Sequence, residues 1–326
     1  IYGSRAAGGV ILITTKKGKE GRAKVEYSGS YTMKTVGRMP ELMTLDEWSD
    51  AVLMATADGS NVNWQRYAEL AKLYKGQYID LYHNVHPFGG EGFPDIAEFI
   101  FDDSVDYFGS LFGNAHSTSH DLSVSGGSEK ISYRVSLGYL YDGSPLQYGE
   151  NNNQRYNIRV NNTFHITDWL TLDSSIGYNR QEQIAPTNIS SALTDQVPMP
   201  GLPLFTADGK AYGWGRNSHW TSPASELEFG GDNKLSVSAL NVSEALNFTL
   251  TKWLDLNVNL GYNTTTAFRD MVSNPVTYYN YDGTVAQFTE PGAEDSYYRQ
   301  TGSRTDFYSA SAYLNGHHTF ADDHSL

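Results

Sequence analysis

The stretch whose reading decides the fold is residues 1–19, IYGSRAAGGVILITTKKGK. Gly3, Gly8 and Gly9 flank a short polar turn, and Val10 to Ile13 follow as an apolar, β-branched run. Such a run reads as a buried strand, because branched side chains pack well on a pleated surface. Lys16, Lys17 and Lys19 end it abruptly. An apolar strand with no start signal before it is read as the tail of a domain whose body lies upstream.

Downstream the pattern changes to alternation. In residues 24–34, Val25, Tyr27, Tyr31 and Met33 share one face, and Lys24, Glu26, Ser28, Ser30, Thr32 and Lys34 the other. Period two is the mark of a strand with one apolar and one polar side. Residues 254–263 show it most cleanly, with Leu254, Leu256, Val258, Leu260 and Tyr262 set against Asp255, Asn257, Asn259, Gly261 and Asn263. Eight strands are expected this way, near 23–36, 117–126, 130–141, 154–167, 169–182, 237–251, 253–267 and 304–320. The connectors alternate. Gly126 to Glu129, Thr167-Asp168, Thr251-Lys252 and Ala321 to Asp323 read as tight turns, whereas 37–116, 142–153, 183–236 and 268–303 are long. Short turns at one end and long loops at the other is the arrangement of an outer-membrane barrel. A soluble sandwich would have short turns at both ends.

Composition bounds the reading. Cysteine is absent, so no disulfide or thiolate metal site exists. A net charge of −14 argues against nucleic acid as a partner. A mean hydropathy of −0.46 is compatible with a membrane barrel, whose strands are only half apolar and whose loops are polar. Tyr at 23 and Trp at 6 are abundant enough for aromatic girdles.

The opening stretch closely resembles the end of the plug domain of SusC/RagA-type TonB-dependent outer-membrane transporters, in which YGSRAANGVILITTKKGK leads straight into the first barrel strand. Gly8 stands here where Asn is usual. Tyr2, Gly3, Ser4, Arg5, Gly9, Val10, Ile11 and Ile13 carry the plug motif. The resemblance implies an all-β fold: the last plug strand (1–19), then the first eight strands (23–326) of an antiparallel transmembrane β-barrel of about twenty-two. It implies outer-membrane uptake of a large nutrient, glycan or oligopeptide, with a SusD-like surface lipoprotein as lid and the TonB complex as energy source through a segment upstream of Ile1. No catalytic residue, cofactor or metal is expected, since the sequence holds no Ser/His/Asp order, P-loop or GxGxxG in strand context. Rival readings are a receptor or adhesin whose loops bind without transport, and a secreted β-rich enzyme that would need paired carboxylates in a cleft.

Three strands share a phrase: Leu137-Gly138-Tyr139, Ile176-Gly177-Tyr178 and Leu260-Gly261-Tyr262. Trp169-Leu170 and Trp253-Leu254 each follow a tight turn, and eight steps separate Leu170 from Tyr178 and Leu254 from Tyr262. At ~3.3 Å a step and a tilt of ~40° that is roughly 20 Å of height. The apolar band of such a barrel is ~25 Å tall. Trp169, Trp253, Tyr139, Tyr178 and Tyr262 are therefore expected to form girdles against outer-membrane lipid, with the turns breaking strict parity to bring both Trp outward. Glu244 offends, since it shares the face of Val242, Leu246, Phe248 and Leu250. Either a bulge shifts the register or the strand has risen above the membrane there; the second is preferred. The three glycines, on the inner face, are expected to ease curvature, with contact to the plug tail as a lesser alternative. Thr44 and Glu47 form a capping box for a helix over 45–57. Tyr82, Tyr212, Trp214 and Trp220 are weak candidates for substrate stacking, loop packing being the plainer role for any one of them. His317-His318 point to opposite faces of a strand and are not read as a metal pair. The first and last strands are expected to keep free edges, since eight strands cannot close at the curvature of a larger barrel.

Overall fold

Period-two alternation over long segments yields one sheet. The computed structural model describes residues 16–80, 98–100, 105–187, 189–190, 200–213, 222–280, 283–288, 295–316, 319–320 and 324–325. The plug-motif residues, Tyr82, Trp214, Trp220, the His317-His318 pair and the turn at Ala321 to Asp323 lie outside them. Eight long strands run β1 (Gly21–Lys34), β2 (Ala115–Ser128), β3 (Ile131–Gly143), β4 (Asn152–Thr167), β5 (Leu170–Pro186), β6 (Asp232–Thr251), β7 (Leu254–Ser273) and β8 (Tyr297–Gly316). They pair antiparallel in sequence order, with β1 and β8 at the two edges. The sheet is open, as eight strands of a larger barrel must be.

The tight turns sit one to three residues later than the sequence suggests. Gly126 and Gly127 are inside β2, and the turn is Glu129-Lys130. The glycines answer to crowding: a Cβ at Gly126 would lie 3.1 Å from the Ala23 Cα, next to the irregular pairing between Gly21 and Lys24. The next two turns are Asp168-Trp169 and Lys252-Trp253, so both Trp belong to turns rather than strands. At the other end the strands run past their expected limits: β5 reaches Pro186, β7 reaches Ser273 and β8 begins at Tyr297. There the outward face becomes polar, with Arg180, Glu182, Asp270 and Arg304, and the apolar signal of a strand is lost while its pairing continues.

The long connections carry helices: α1 (Leu45–Ala55), α2 (Val62–Leu73), α3 (Tyr107–Leu111) and α4 (Pro223–Phe229). The capping box of α1 is formed. The Glu47 backbone N–H donates to Thr44 Oγ1 at 3.2 Å, and the Thr44 N–H donates to Glu47 Oε2 at 2.9 Å. Among the described residues, the buried hydrophobic core lies wholly in these connections and not in the sheet. Leu45, Tyr67, Leu70 and Ala71 pack on Leu202 and Tyr212, joining the first connection to the third. Tyr107 and Leu111 pack on Leu146, Leu204, Ala224 and Leu227, bringing in the second. Ala211 packs on Val276 and Tyr278 of the fourth. The loops are a folded crown.

Candidate functional site: a two-faced wall crossed by a belt

Because directly opposed residues of antiparallel strands share a face, the register sorts every side chain of the sheet. One row reads Val25, Val124, Val135, Val160, Ile176, Val242, Tyr262 and Tyr308 from β1 to β8. The adjacent row on the opposite face reads Glu26, Ser123, Ser136, Arg159, Gly177, Asn241, Asn263 and Phe307. One side is apolar, the other mostly polar. The polar side is internally bonded: Arg134 Nη2 donates to Ser123 Oγ at 2.8 Å and to Glu26 Oε2 at 3.2 Å, and Asn247 Nδ2 donates to Asn257 Oδ1 at 2.8 Å.

Residues 16–18 lie on the polar side and cross the strands. Asn161 Nδ2, on β4, donates to the Lys16 carbonyl at 2.8 Å. Lys17 Nζ pairs with Asp173 Oδ2, on β5, at 2.8 Å. Thr163 Oγ1 also donates to Asp173, and Ser175 Oγ donates to Asn161 Oδ1 at 2.7 Å. Gly18 presses on the backbone of β3, where a Cβ would fall 2.3 Å from the Tyr133 carbonyl oxygen. No side chain fits there, which is a plain reason for glycine at that point. Three residues further on the chain enters β1, with Gly21 opposite Gly127. Beside this belt the polar face opens into a cavity of about 520 Å³, lined by Lys16, Glu26, Asp121, Arg134, Asn157 and Arg159 among others. Residues 16–18 and this cavity thus share the polar face of the sheet.

The close approach thus belongs to Gly18 and not to the three wall glycines. A Cβ at Gly138 would meet Asn157 Nδ2 and Asp121 Oδ1 at 3.0 Å, one at Gly177 would meet Arg159 Nη2 at 3.5 Å, and one at Gly261 would meet Ser309 Oγ at 2.4 Å. Those neighbours are inner side chains of adjoining strands. No atom of residues 16–19, the described part of the tail, is among the nearest to any of the three, although Lys16 and Gly138 line the same cavity.

The structure gives positions for the aromatic landmarks. Register slips between His165 and Thr167 and between Thr249 and Thr251 break parity beside the turns. Trp169 stacks on outward Phe248 with ring centroids 6.2 Å apart, and Trp169 and Trp253 are 53% and 51% exposed. Tyr139, Tyr178 and Tyr262 stand on the outward face, the first stacked on His120 and tilted against Tyr156, the last stacked on Tyr308. Glu244 is resolved against the preferred expectation. The register is unbroken through it, opposite Ser174 and Leu260. It lies midway between the Trp169 and Tyr178 levels, on the apolar side, where Ser174 Oγ donates to its carboxylate at 2.8 Å. Asn162 stands opposite Ser174, so Asn162, Ser174 and Glu244 form a short polar row that period two alone had not revealed. Tyr212 is fully buried in the crown and is a packing residue, closed to any substrate in this conformation.

No family model matches the chain. Among curated proteins it is 30% identical over 170 residues to the TonB-dependent receptor SusC of Bacteroides thetaiotaomicron, a match covering 49% of this chain and 12% of that protein. It is 26% identical over 233 residues to the TonB-dependent receptor P26 of Formosa agariphila, covering 70% of this chain and 20% of that one. The chain is similar to SusC/RagA-type TonB-dependent receptors of the outer membrane. Two solved structures share the fold. One is the RagAB peptide importer in a closed-closed state, with a TM-score of 0.72, 23% identity, and coverage of 98% of this chain and 35% of that one. A second structure of the RagAB peptide transporter gives a TM-score of 0.59 at 19% identity, covering 97% of this chain and 43% of that one. The alignments thus span only 12% and 20% of the curated relatives' length. In an outer-membrane barrel the apolar side of such a sheet faces lipid and the polar side faces the lumen.

Proposed function

We propose that the protein containing this chain carries out TonB-dependent uptake of a large nutrient, an oligosaccharide or oligopeptide, across the outer membrane. The observation that carries this reading is the belt: a segment that follows a plug-like motif runs on the lumenal side of the wall before becoming its first strand. A wall that only held binding loops in place would need no chain inside it. Residues 1–19 are read as the end of the plug and 23–326 as barrel wall with extracellular loops. Trp169 and Trp253 mark the lower lipid interface, and Tyr139, Tyr178 and Tyr262 the upper one, in keeping with their exposure and outward stacking. The crown, built from all four long connections, offers a rigid platform for a SusD-like lipoprotein lid. The TonB complex would act through a segment upstream of Ile1.

The test is uptake of labelled oligopeptide and oligosaccharide pools in a strain lacking the full gene, with and without complementation, and with and without TonB. Uptake of one pool that needs both the gene and TonB is expected. Binding of ligand at the cell surface without TonB-dependent uptake would replace transport by the receptor or adhesin reading.

A further inference from the structure

The two faces of the wall treat their cations differently. On the polar face the row Thr32, Ser117, Asp142, Asn153, Gln183, Leu235, Arg269 and Thr301 runs unbroken from β1 to β8. Arg155, opposite Leu140 and Gln181, stands one row below it. Arg155 lies six residues along β4 from Asn161. At ~3.3 Å a residue and a tilt of ~40° that is roughly 15 Å above the belt. Arg155 and Arg269 are both exposed, and both sit on strands that are paired on each side. Among the described residues neither guanidinium has an ion-pair partner. Asp142 is engaged by Lys34, and Asp121, one row below Arg155, reaches neither. At the same height on the opposite face, Arg180 pairs with Glu182, Lys234 stands 3.9 Å from the same carboxylate, and Arg304 pairs with Asp306 at 3.0 Å. A chain of net charge −14 is rich in carboxylates, yet places none against the two lumenal guanidiniums. Solvation of the surface gives no reason for that difference between faces.

We propose that Arg155 and Arg269 form a binding site for an acidic oligosaccharide, one that bears carboxylate or sulfate groups, at the upper mouth of the lumen. The site deepens the TonB-dependent reading above and rests on it. A planar guanidinium binds a carboxylate or sulfate through two parallel N–H bonds. Three strand spacings separate β4 from β7, about 14 Å. The two groups therefore meet charges some units apart on one extended chain, not a single charge together. The inner-face neighbours of Arg155 are mostly amides: Asn153, Asn157, Asn179, Gln181 and Gln183, with Leu140 the one large apolar side chain. Gln181 Nε2 donates to Asn153 Oδ1 at 3.0 Å, which leaves the Gln181 oxygen and the Asn153 N–H groups for sugar hydroxyls. A mixed oligopeptide would call for apolar pockets, which this stretch of wall lacks. Unmatched positive charge on a concave wall also raises the local concentration of anions before they bind.

The experiment uses the full-length transporter, purified for calorimetric titration and expressed in the strain lacking the gene for uptake. The probes are an oligogalacturonate, a sulfated oligosaccharide, a neutral oligosaccharide and an oligoglutamate of matched length. One acidic saccharide should bind at least about tenfold more tightly than the neutral one, the worth of one charge-assisted hydrogen bond. The advantage should shrink as salt is added. Arg155→Gln combined with Arg269→Gln should abolish it while heat-modifiable migration of the barrel stays unchanged. Arg155→Lys with Arg269→Lys keeps the charge without the two-bond geometry and should retain part of the preference, which provides a second reading should the first variant fail to fold. Arg180→Gln, at the same height on the outer face, should leave the preference whole. Equal affinity for the neutral saccharide, binding of neither acidic saccharide, an unchanged preference in the glutamine pair, or an equal loss in Arg180→Gln would each overturn the site. Oligoglutamate bound in preference to both acidic saccharides would overturn its assignment to sugars. Uptake that ignores TonB, with the charge preference in binding unchanged, would overturn the transport reading and not the site.

Discussion

The wall and the crown obey opposite rules of burial. In the wall, large apolar side chains stand in the open: Val25 is 65% exposed and Tyr27 66%. In the crown, Leu70 and Tyr212 are completely covered. The crown holds itself together as a water-soluble domain does, by apolar contact among its own residues. The wall holds together by its ladder, and its apolar face is completed by a solvent that is not part of the chain. One sequence therefore carries two hydrophobic codes, period two aimed at lipid and clustered aromatics aimed inward. A substitution should be read differently according to which code it breaks.

The largest effect expected is in the crown. Leu70→Ala empties a fully covered site between α1, α2 and the Leu202–Tyr212 stretch. Large-to-small changes at such positions cost about 2–5 kcal/mol. Hydrogen exchange in residues 45–73 and 200–212 should accelerate accordingly, while heat-modifiable migration of the full barrel stays unchanged. A drop in barrel stability of the same size would mean that crown and wall are one cooperative unit, and the comparison would fail.

The wall gives the sharper contrast because adjacent residues belong to opposite faces. Val135 sits in the apolar row and Ser136 in the lumenal one. Val135→Arg should cost about 2–4 kcal/mol near mid-bilayer, whereas Ser136→Arg points into a wet lumen and should cost little. Refolding of the full-length barrel into lipid at graded denaturant measures both. Equal penalties would show that the assignment of faces is wrong.

The wall was legible in the sequence because its code is strict. Each of the eight strands could be seen in alternation such as Leu254 to Tyr262, the short and long connectors implied an antiparallel barrel wall, and eight strands of a larger barrel implied that its sheet is open. Strand ends were not legible, because alternation in hydropathy stops where lipid stops, at residues such as Arg180 and Asp270, and the ladder does not. The crown was mostly hidden. The Thr44–Glu47 box announced α1, and Asn61 with Tyr67, Leu70 and Ala71 at helical spacing could have announced α2. The meeting of Leu202 with Leu45, or of Leu227 with Leu111, is set by contacts far apart in sequence that no local period records. The belt lay between these cases. Lysines and a glycine after an apolar run read as a stop signal, and only the positions of Asn161 and Asp173 show what they hold.

Glu244 tests whether the apolar face is lipid-facing along its whole width. It stands at mid-depth with Ser174 as its donor and Leu260 on its other side. If lipid covers it, Glu244→Leu should stabilise the barrel by about 1–2 kcal/mol, since a carboxylate on the lipid face costs somewhat less than the roughly 2–4 kcal/mol of a basic residue. A loss of stability in the same refolding assay would mean that protein, not lipid, covers the Asn162–Ser174–Glu244 row, and would redraw the boundary between wall and interface.

The smallest effect concerns the crown's dependence on local caps as opposed to packing. Thr44 closes the N-terminus of α1 by accepting from the Glu47 N–H, while the Glu47 carboxylate accepts from the Thr44 N–H and hydroxyl. The Thr44 backbone bond first, and its hydroxyl second, hold the Glu47 carboxyl below its ordinary value of 4.5. The sign follows from linkage. A carboxyl lowered in the folded state binds fewer protons there than in the unfolded chain, so its contribution is full above 4.5 and fades as pH falls through the lowered value. Thr44→Ala removes the N-cap acceptor and should cost about 1 kcal/mol at neutral pH. Glu47→Gln keeps the hydrogen bonds in weaker, uncharged form and should cost less. Both should be visible as faster hydrogen exchange over the first turn of α1, and acidifying from neutral pH to below the ordinary carboxyl value should narrow the gap between the parent and the Glu47→Gln variant. If the Leu45 contact with Leu70 and Tyr212 alone orders the helix, Thr44→Ala will leave exchange unchanged. The crown would then depend on its core as completely as the wall depends on its ladder.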